Sequence, residues 1–170
     1  MVLSETIPVQ KTYDMPHQKI IPVIDYKMRG LCLKPYHGHK KGCPNFNKKD
    51  GCPPQIGFFD KMNDLTKPVY AIWNEFDLGT HVANLQSKYP HWSEYQLKCC
   101  LYWQPRARRM LLEELKKFKK EFPEYQITRC PEAEGVNITQ TMLNIGIVLQ
   151  WPPETKTYQV ALAAVKIETK

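Results

Sequence analysis

The sequence predicts an α+β (or α/β) fold: one central mixed β-sheet packed by helices, with a long cysteine-rich metal-binding loop. Three features of its 170 residues predict this. β-rich segments lie near both ends, helical periodicities fill the middle, and a stretch between the first strand and the first helix shows neither pattern. The length suits a single domain over 1–170, divided into a cysteine-rich loop (30–57), a helical segment (78–122) and C-terminal strands (145–168).

Residues 18–28 are rich in β-formers, and Pro22 places them at an edge or a bulge. From Gly30 to about Gly57 the chain is dense in Gly, Pro, Asn, Lys and Cys, with Leu31, Leu33 and Ile56 as its few aliphatics. A loop that long needs something besides a hydrophobic core to hold it. Pro68–Trp73 reads as a buried strand, and Asp77 caps a helix from Leu78 to about Tyr89. Ser93 and Gln96 form a capping-box pattern opening a second helix through about Trp103. Pro105 restarts the helix, and Leu111, Leu115, Phe118 and Phe122 then recur on one face, leaving Arg and Lys outward. Residues 124–129 suit a short strand, and Asn137 caps a helix to Asn144. Ile145–Trp151 and Thr157–Ile167 read as strands joined through Pro152-Pro153.

No segment approaches the ~20 apolar residues of a membrane helix, and the first residues lack the pattern of a secretory signal, so a cytoplasmic, non-membrane protein is expected. In a reducing compartment six cysteines at uneven spacing point to metal binding, catalysis or burial rather than disulfides. The net charge of +7 is clustered. Tyr26–Lys49 holds seven basic residues, His37 and His39, and no carboxylate; Lys98–Lys120 holds eight against Glu113 and Glu114. Such stripes suit phosphate or nucleic acid, although a solvated helix face explains the second equally well.

Cys32, Cys43 and Cys52 are separated by ten and eight residues inside the loop. Gly before a cysteine or Pro after it allows the tight turns that aim thiolates at one point, and neighbouring lysines offset thiolate charge. The fourth ligand falls to Cys100 or Cys99, with Cys130 more distant. Zinc knuckles pair ligands as C-x2–4-C, which these three do not. Wider spacing suits a 4Fe–4S iron–sulfur cluster, with a Cys3His zinc site using His37 or His39 as the competitor. With three cysteine ligands, one iron stays open to substrate.

The run Cys43-Pro44-Asn45-Phe46-Asn47-Lys48 followed by Cys52-Pro53-Pro54, with Cys32 upstream, resembles a prokaryotic family of predicted metal-binding, iron–sulfur proteins. A second patch, Pro131–Ile138 with Thr141 and Asn144-Ile145-Gly146, is similar to that family's Glu-Ala-Gly-Ile-Asp run. Members often carry a further cysteine cluster before that run, where only Cys130 stands here, so the resemblance implies one metal centre and not two. It covers about a third of the chain, and the middle, including His91-Trp92-Ser93, lies outside it.

Two functions follow from these residues. One is an enzyme using an open iron for Lewis-acid or desulfuration chemistry on an anionic, nucleotide-like substrate. Its proton-moving candidates are His37, His39 and Asp50, then Tyr36, His91 and Glu94, and Lys40, Lys41, Lys48 and Arg106 would hold the anion. The other is a zinc- or cluster-stapled module that grips single-stranded nucleic acid through basic and aromatic side chains without catalysis. A simple electron carrier lacks the compact ferredoxin spacing. P-loop, Rossmann, zincin, α/β-hydrolase and thioredoxin motifs are absent.

Overall fold

The computed structural model describes residues 16–36 and 39–168. In chain order it contains β1 (His17–Ile20), a 3-10 helix (Tyr26–Leu33), α1 (Phe59–Met62), β2 (Val69–Asp77), α2 (Leu78–Lys88), α3 (Glu94–Leu97) and α4 (Cys100–Glu121). There follow β3 (Gln126–Thr128), a 3-10 turn (Pro131–Glu134), α5 (Ile138–Leu143) and β4 (Lys156–Ala164). The strands form one sheet in the order β1-β2-β4-β3. Every ladder is antiparallel, so the architecture is α+β and the expected mixed sheet is corrected to an antiparallel one.

Alternation along the two central strands divides the core between the sheet's faces. Val69, Ala71, Trp73, Leu162 and Ala164 point to one face, where Val136, Ile138, Met142 and Ile147 cover them. Tyr70, Ile72, Ala161 and Ala163 point to the other, beneath Leu111, Leu115 and Phe118 of α4. Burial on both sides explains why these strands read as nearly continuous apolar runs. Phe76 and Leu78 extend the α4 side toward Trp103 and Ala107.

The helix caps follow local sequence. Asp77 accepts from the Thr80 N–H at 2.8 Å, Asn137 from Gln140 at 3.0 Å, and Ser93 and Gln96 close a reciprocal capping box. The predicted break at Pro105 falls instead at Cys99, where the backbone leaves the helical region. α4 runs through Pro105, losing one helical donor there, because Trp103, Ala107, Leu111, Leu115 and Phe118 anchor the helix to its cores on both sides of the proline.

Two expected strands also differ. Residues 18–28 pair only through Ile20; beyond a single bridge from Ile24 to Val136 the chain turns into the 3-10 helix. Residues 145–151 form no strand. Their apolar alternation is used on the sheet's face rather than in a ladder: Ile147 is buried in the first core, and Ile145 and Leu149 pack against it. Among the described residues, no helix is long and apolar enough to cross a membrane.

Candidate metal centre

The described residues between 34 and 58 contain neither helix nor regular strand, and polar contacts shape the loop. Arg29, on the 3-10 helix, donates from Nε to the Ala133 carbonyl at 3.0 Å and from Nη2 to the carbonyls of Ile56 and Gly57 at 2.7 and 3.0 Å. Its guanidinium lies 3.9 Å above the Phe58 ring. One side chain thus ties the loop's entry and exit to the 131–134 turn, which the planar fork of arginine suits. Tyr26 packs on Phe58 with ring centroids 4.2 Å apart and donates to Asp60 at 2.6 Å, closing the same junction.

Inside the loop the Cys43 N–H donates to the Cys32 carbonyl at 2.7 Å. Gly42 makes that approach possible: its φ is +83°, and a Cβ there would stand 2.6 Å from the Cys32 oxygen. The Asn47 N–H donates to the Pro53 carbonyl at 2.8 Å, drawing the stretch after Cys43 against the stretch after Cys52.

The Cys32 thiol is pushed up first by desolvation, then by the charges of Cys43, Cys52 and Glu132, while Arg29 opposes the rise. Tyr36 is raised by desolvation and then by the charges of Cys43, Cys100 and Cys32, with Arg108 opposing the rise. Cys100 is half-buried and packs against the Trp103 core, and Cys99 is buried at the helix N-cap. Cys130 is exposed as a residue, yet its thiol is pushed up by desolvation, then by Glu132 and Cys52. Among the described residues, no three His, Cys, Asp or Glu side chains gather closely enough to hold a single metal ion.

Beside the thiols lies an open cavity of about 450 Å³, walled in part by Cys43, His39, Lys40, Lys41, Lys48 and Phe46. Three of the four expected anion-binding residues therefore share one wall with a metal-ligand candidate. Arg106 is elsewhere: its charge bears on His81, whereas Arg108 is the α4 arginine whose charge reaches Tyr36 and Cys130. His39 stacks on Tyr36 with ring centroids 4.7 Å apart, the two residues exchanging backbone hydrogen bonds at 2.9 and 3.2 Å. His37 lies outside the described residues. Asp50 is exposed and lines neither this cavity nor the one described next; His91 is exposed, and Glu94 pairs with Lys98 at 2.7 Å on the surface.

Much of the second basic stripe is used locally. Lys116 and Lys117 pair with Glu113 and Glu114 at 2.8 Å, and Lys119 donates to the carbonyls of Pro123 and Tyr125 beyond the helix end. A second cavity of about 340 Å³ has Gly51, Asn63, Arg129, Cys130, Glu134 and Lys166 in its wall. Arg29 could not be singled out as a loop-holding residue because no spacing rule links it to Ala133; their contact is tertiary. In comparisons with known proteins, no family model, no curated protein and no solved structure matches the chain.

Proposed function

We propose that the chain holds one 4Fe–4S cluster through Cys32, Cys43 and Cys52 and receives an anionic small molecule in the adjoining basic cavity. The observation that carries this reading is the double role of Cys43: its backbone N–H donates to the Cys32 carbonyl at 2.7 Å, and it walls the cavity that also presents Lys40, Lys41 and Lys48. The donor set fits the group. All three candidates are thiols, the donors that clusters take, and among the described residues no three donors close to the spacing of a single ion. A mononuclear zinc site, with four donors about 2.0–2.3 Å from one ion, suits this arrangement less well.

The chain's own residues have definable tasks. Arg29 and Gly42 hold the loop so that the thiols are preorganised, and the lysines supply the field that draws an anion to the cavity. His39 offers an imidazole at the cavity wall for proton exchange with a bound phosphate or carboxylate. When bound, a cluster supplies Lewis acidity at an exchangeable iron position or the capacity to pass electrons. Desulfuration of a nucleotide-like anion needs the exchangeable position, so it depends on the fourth ligand.

Paired substitutions separate the two halves of the proposal. Replacing Cys43 by Ser should abolish stable iron and sulfide retention. Replacing Lys40, Lys41 and Lys48 together by Ala should leave iron content unchanged while weakening pyrophosphate or nucleotide binding at least about tenfold at low salt. Unchanged iron in the Cys43→Ser protein contradicts the metal assignment, and unchanged anion affinity in the triple-lysine variant contradicts the cavity assignment.

A further inference from the structure

We infer that the surface where α2, α3 and α4 meet binds single-stranded nucleic acid, with Tyr102 as a stacking ring and Arg106 and Arg109 as phosphate contacts. None of these three residues lines either cavity, and the inference does not depend on the cluster reading. Local structure builds the platform. α2 ends at Lys88, where the Tyr89 N–H closes on the Leu85 carbonyl at 2.7 Å. The Trp92 N–H then donates to the Tyr89 carbonyl at 3.1 Å, and the two rings lie nearly parallel, centroids 4.3 Å and planes 9° apart. The Ser93–Gln96 capping box opens α3, and the break at Cys99 starts α4, which brings the Tyr102 ring to 5.2 Å from that of Trp92. Trp103, the next residue, belongs to the core: it stacks on Phe76 and donates from Nε1 to the Lys98 carbonyl at 3.2 Å. Its burial fixes the phase of α4 and leaves Tyr102 51% exposed.

The charge beside these rings is uncompensated. Tyr102, Arg106 and Arg109 are spaced i, i+4 and i+7, so they share one side of α4, and all three are exposed. The chain has no carboxylate between Glu94 and Glu113, and both of those are taken, by Lys98 and Lys116. Among the described residues no salt bridge joins Arg106, Arg108 or Arg109 to an acid. At the other end of the ring cluster the Lys88 ammonium lies 5.3 Å from the Tyr89 centroid. Exposed rings set among unpaired cations suit a strand whose bases stack while its phosphates meet the arginines. From Tyr102 to Arg109 is about 10 Å along the helix, the span of roughly three stacked nucleotides at ~3.4 Å each. Stacking on a side chain needs a base face that a duplex keeps covered, which selects single strands. A second copy of this chain is a poor occupant, since each copy carries +7 and would set arginine against arginine.

The test is fluorescence anisotropy of the full chain with labelled oligothymidylate and oligouridylate of about 12 nucleotides, and with a duplex of the same length, over a range of salt. Wild type should bind the single strands more tightly than the duplex, with affinity that falls as salt rises. Tyr102→Ala should weaken single-strand binding at least about fivefold, whereas Tyr102→Phe, which keeps the ring, should bind like wild type. Arg106→Gln with Arg109→Gln should reduce the salt slope by about 1. Far-UV circular dichroism checks that each variant is folded, and the exposed arginine pair carries the test where Tyr102→Ala is not. In the background with Lys40, Lys41 and Lys48 changed to Ala, the loss caused by Tyr102→Ala should persist; its disappearance places the strand in the basic cavity and overturns the inference. So does the absence of wild-type binding at low salt, duplex binding as tight as single-strand binding, or wild-type affinity in folded Tyr102→Ala. Equal displacement of the strand by an oligoglutamate peptide also overturns it, in favour of an acidic protein partner.

Discussion

The backbone N–H of Cys43 donates to the carbonyl of Cys32 at 2.7 Å, so two thiol-bearing segments separated by ten residues are fixed to each other through main chain alone. The arrangement needs no apolar core, which the loop does not have. It needs a residue at 42 that accepts a left-handed backbone and carries no Cβ.

Gly42→Ala should therefore be destabilising beyond its one added methyl. A left-handed alanine costs about 1–2 kcal/mol, and the 2.6 Å approach to the Cys32 oxygen must be relieved by backbone movement. Chemical denaturation should show that loss, and the variant should retain less iron after reconstitution than wild type under identical conditions. Wild-type stability together with wild-type iron would show that the Cys32–Cys43 hydrogen bond does not order the site.

Arg29→Ala should cost about 2–3 kcal/mol, because three carbonyls lose a charged donor and the Phe58 ring loses its cation. For a chain of this size that is a drop of roughly 5–10 °C in Tm. Arg29→Lys should recover less than half of it, since an ammonium lacks the planar fork that reaches Ala133 and the Ile56–Gly57 pair together. Thermal unfolding followed by circular dichroism measures both.

Glu134 links stability to pH. Its side chain is buried, and desolvation pushes its carboxyl above the ordinary glutamate value, although a hydrogen bond with Thr128 and the charges of Lys166 and Arg29 favour ionisation. Between the unfolded value of about 4.5 and the raised folded value, the native state binds more protons than the unfolded state. This residue's contribution is thus fully present below about pH 4.5 and is lost as pH rises through its folded pKa. Glu134→Gln should gain stability relative to wild type on going from pH 4 to pH 8. A difference that is flat or of opposite slope in urea titrations across that range contradicts the assignment.

Local rules carried the sequence reading wherever they act within a few residues. The Asp77 cap, the Ser93–Gln96 box, the Asn137 cap and the buried Leu111, Leu115 and Phe118 stripe all stand as expected. The reading failed where tertiary packing decides. The apolar alternation at Ile145, Ile147 and Leu149 covers a sheet face instead of joining a ladder, and Pro105 is carried inside a helix anchored on both sides. In the site, Cys32, Cys43 and Cys52 could be singled out because the stretch around them is too poor in apolar residues to fold as core. The Arg29–Ala133 bond spans 104 positions, and no periodicity encodes it. Arg29 therefore counted only as one more positive charge.

The central claim is the identity of the centre, and metal analysis of the full chain purified without oxygen tests it most directly. Iron, acid-labile sulfide and zinc are quantified on the same sample whose absorption spectrum is recorded. The account predicts a brown protein with a broad visible absorption band and about four irons and four sulfides per chain. A colourless protein carrying one equivalent of zinc and no sulfide would contradict it.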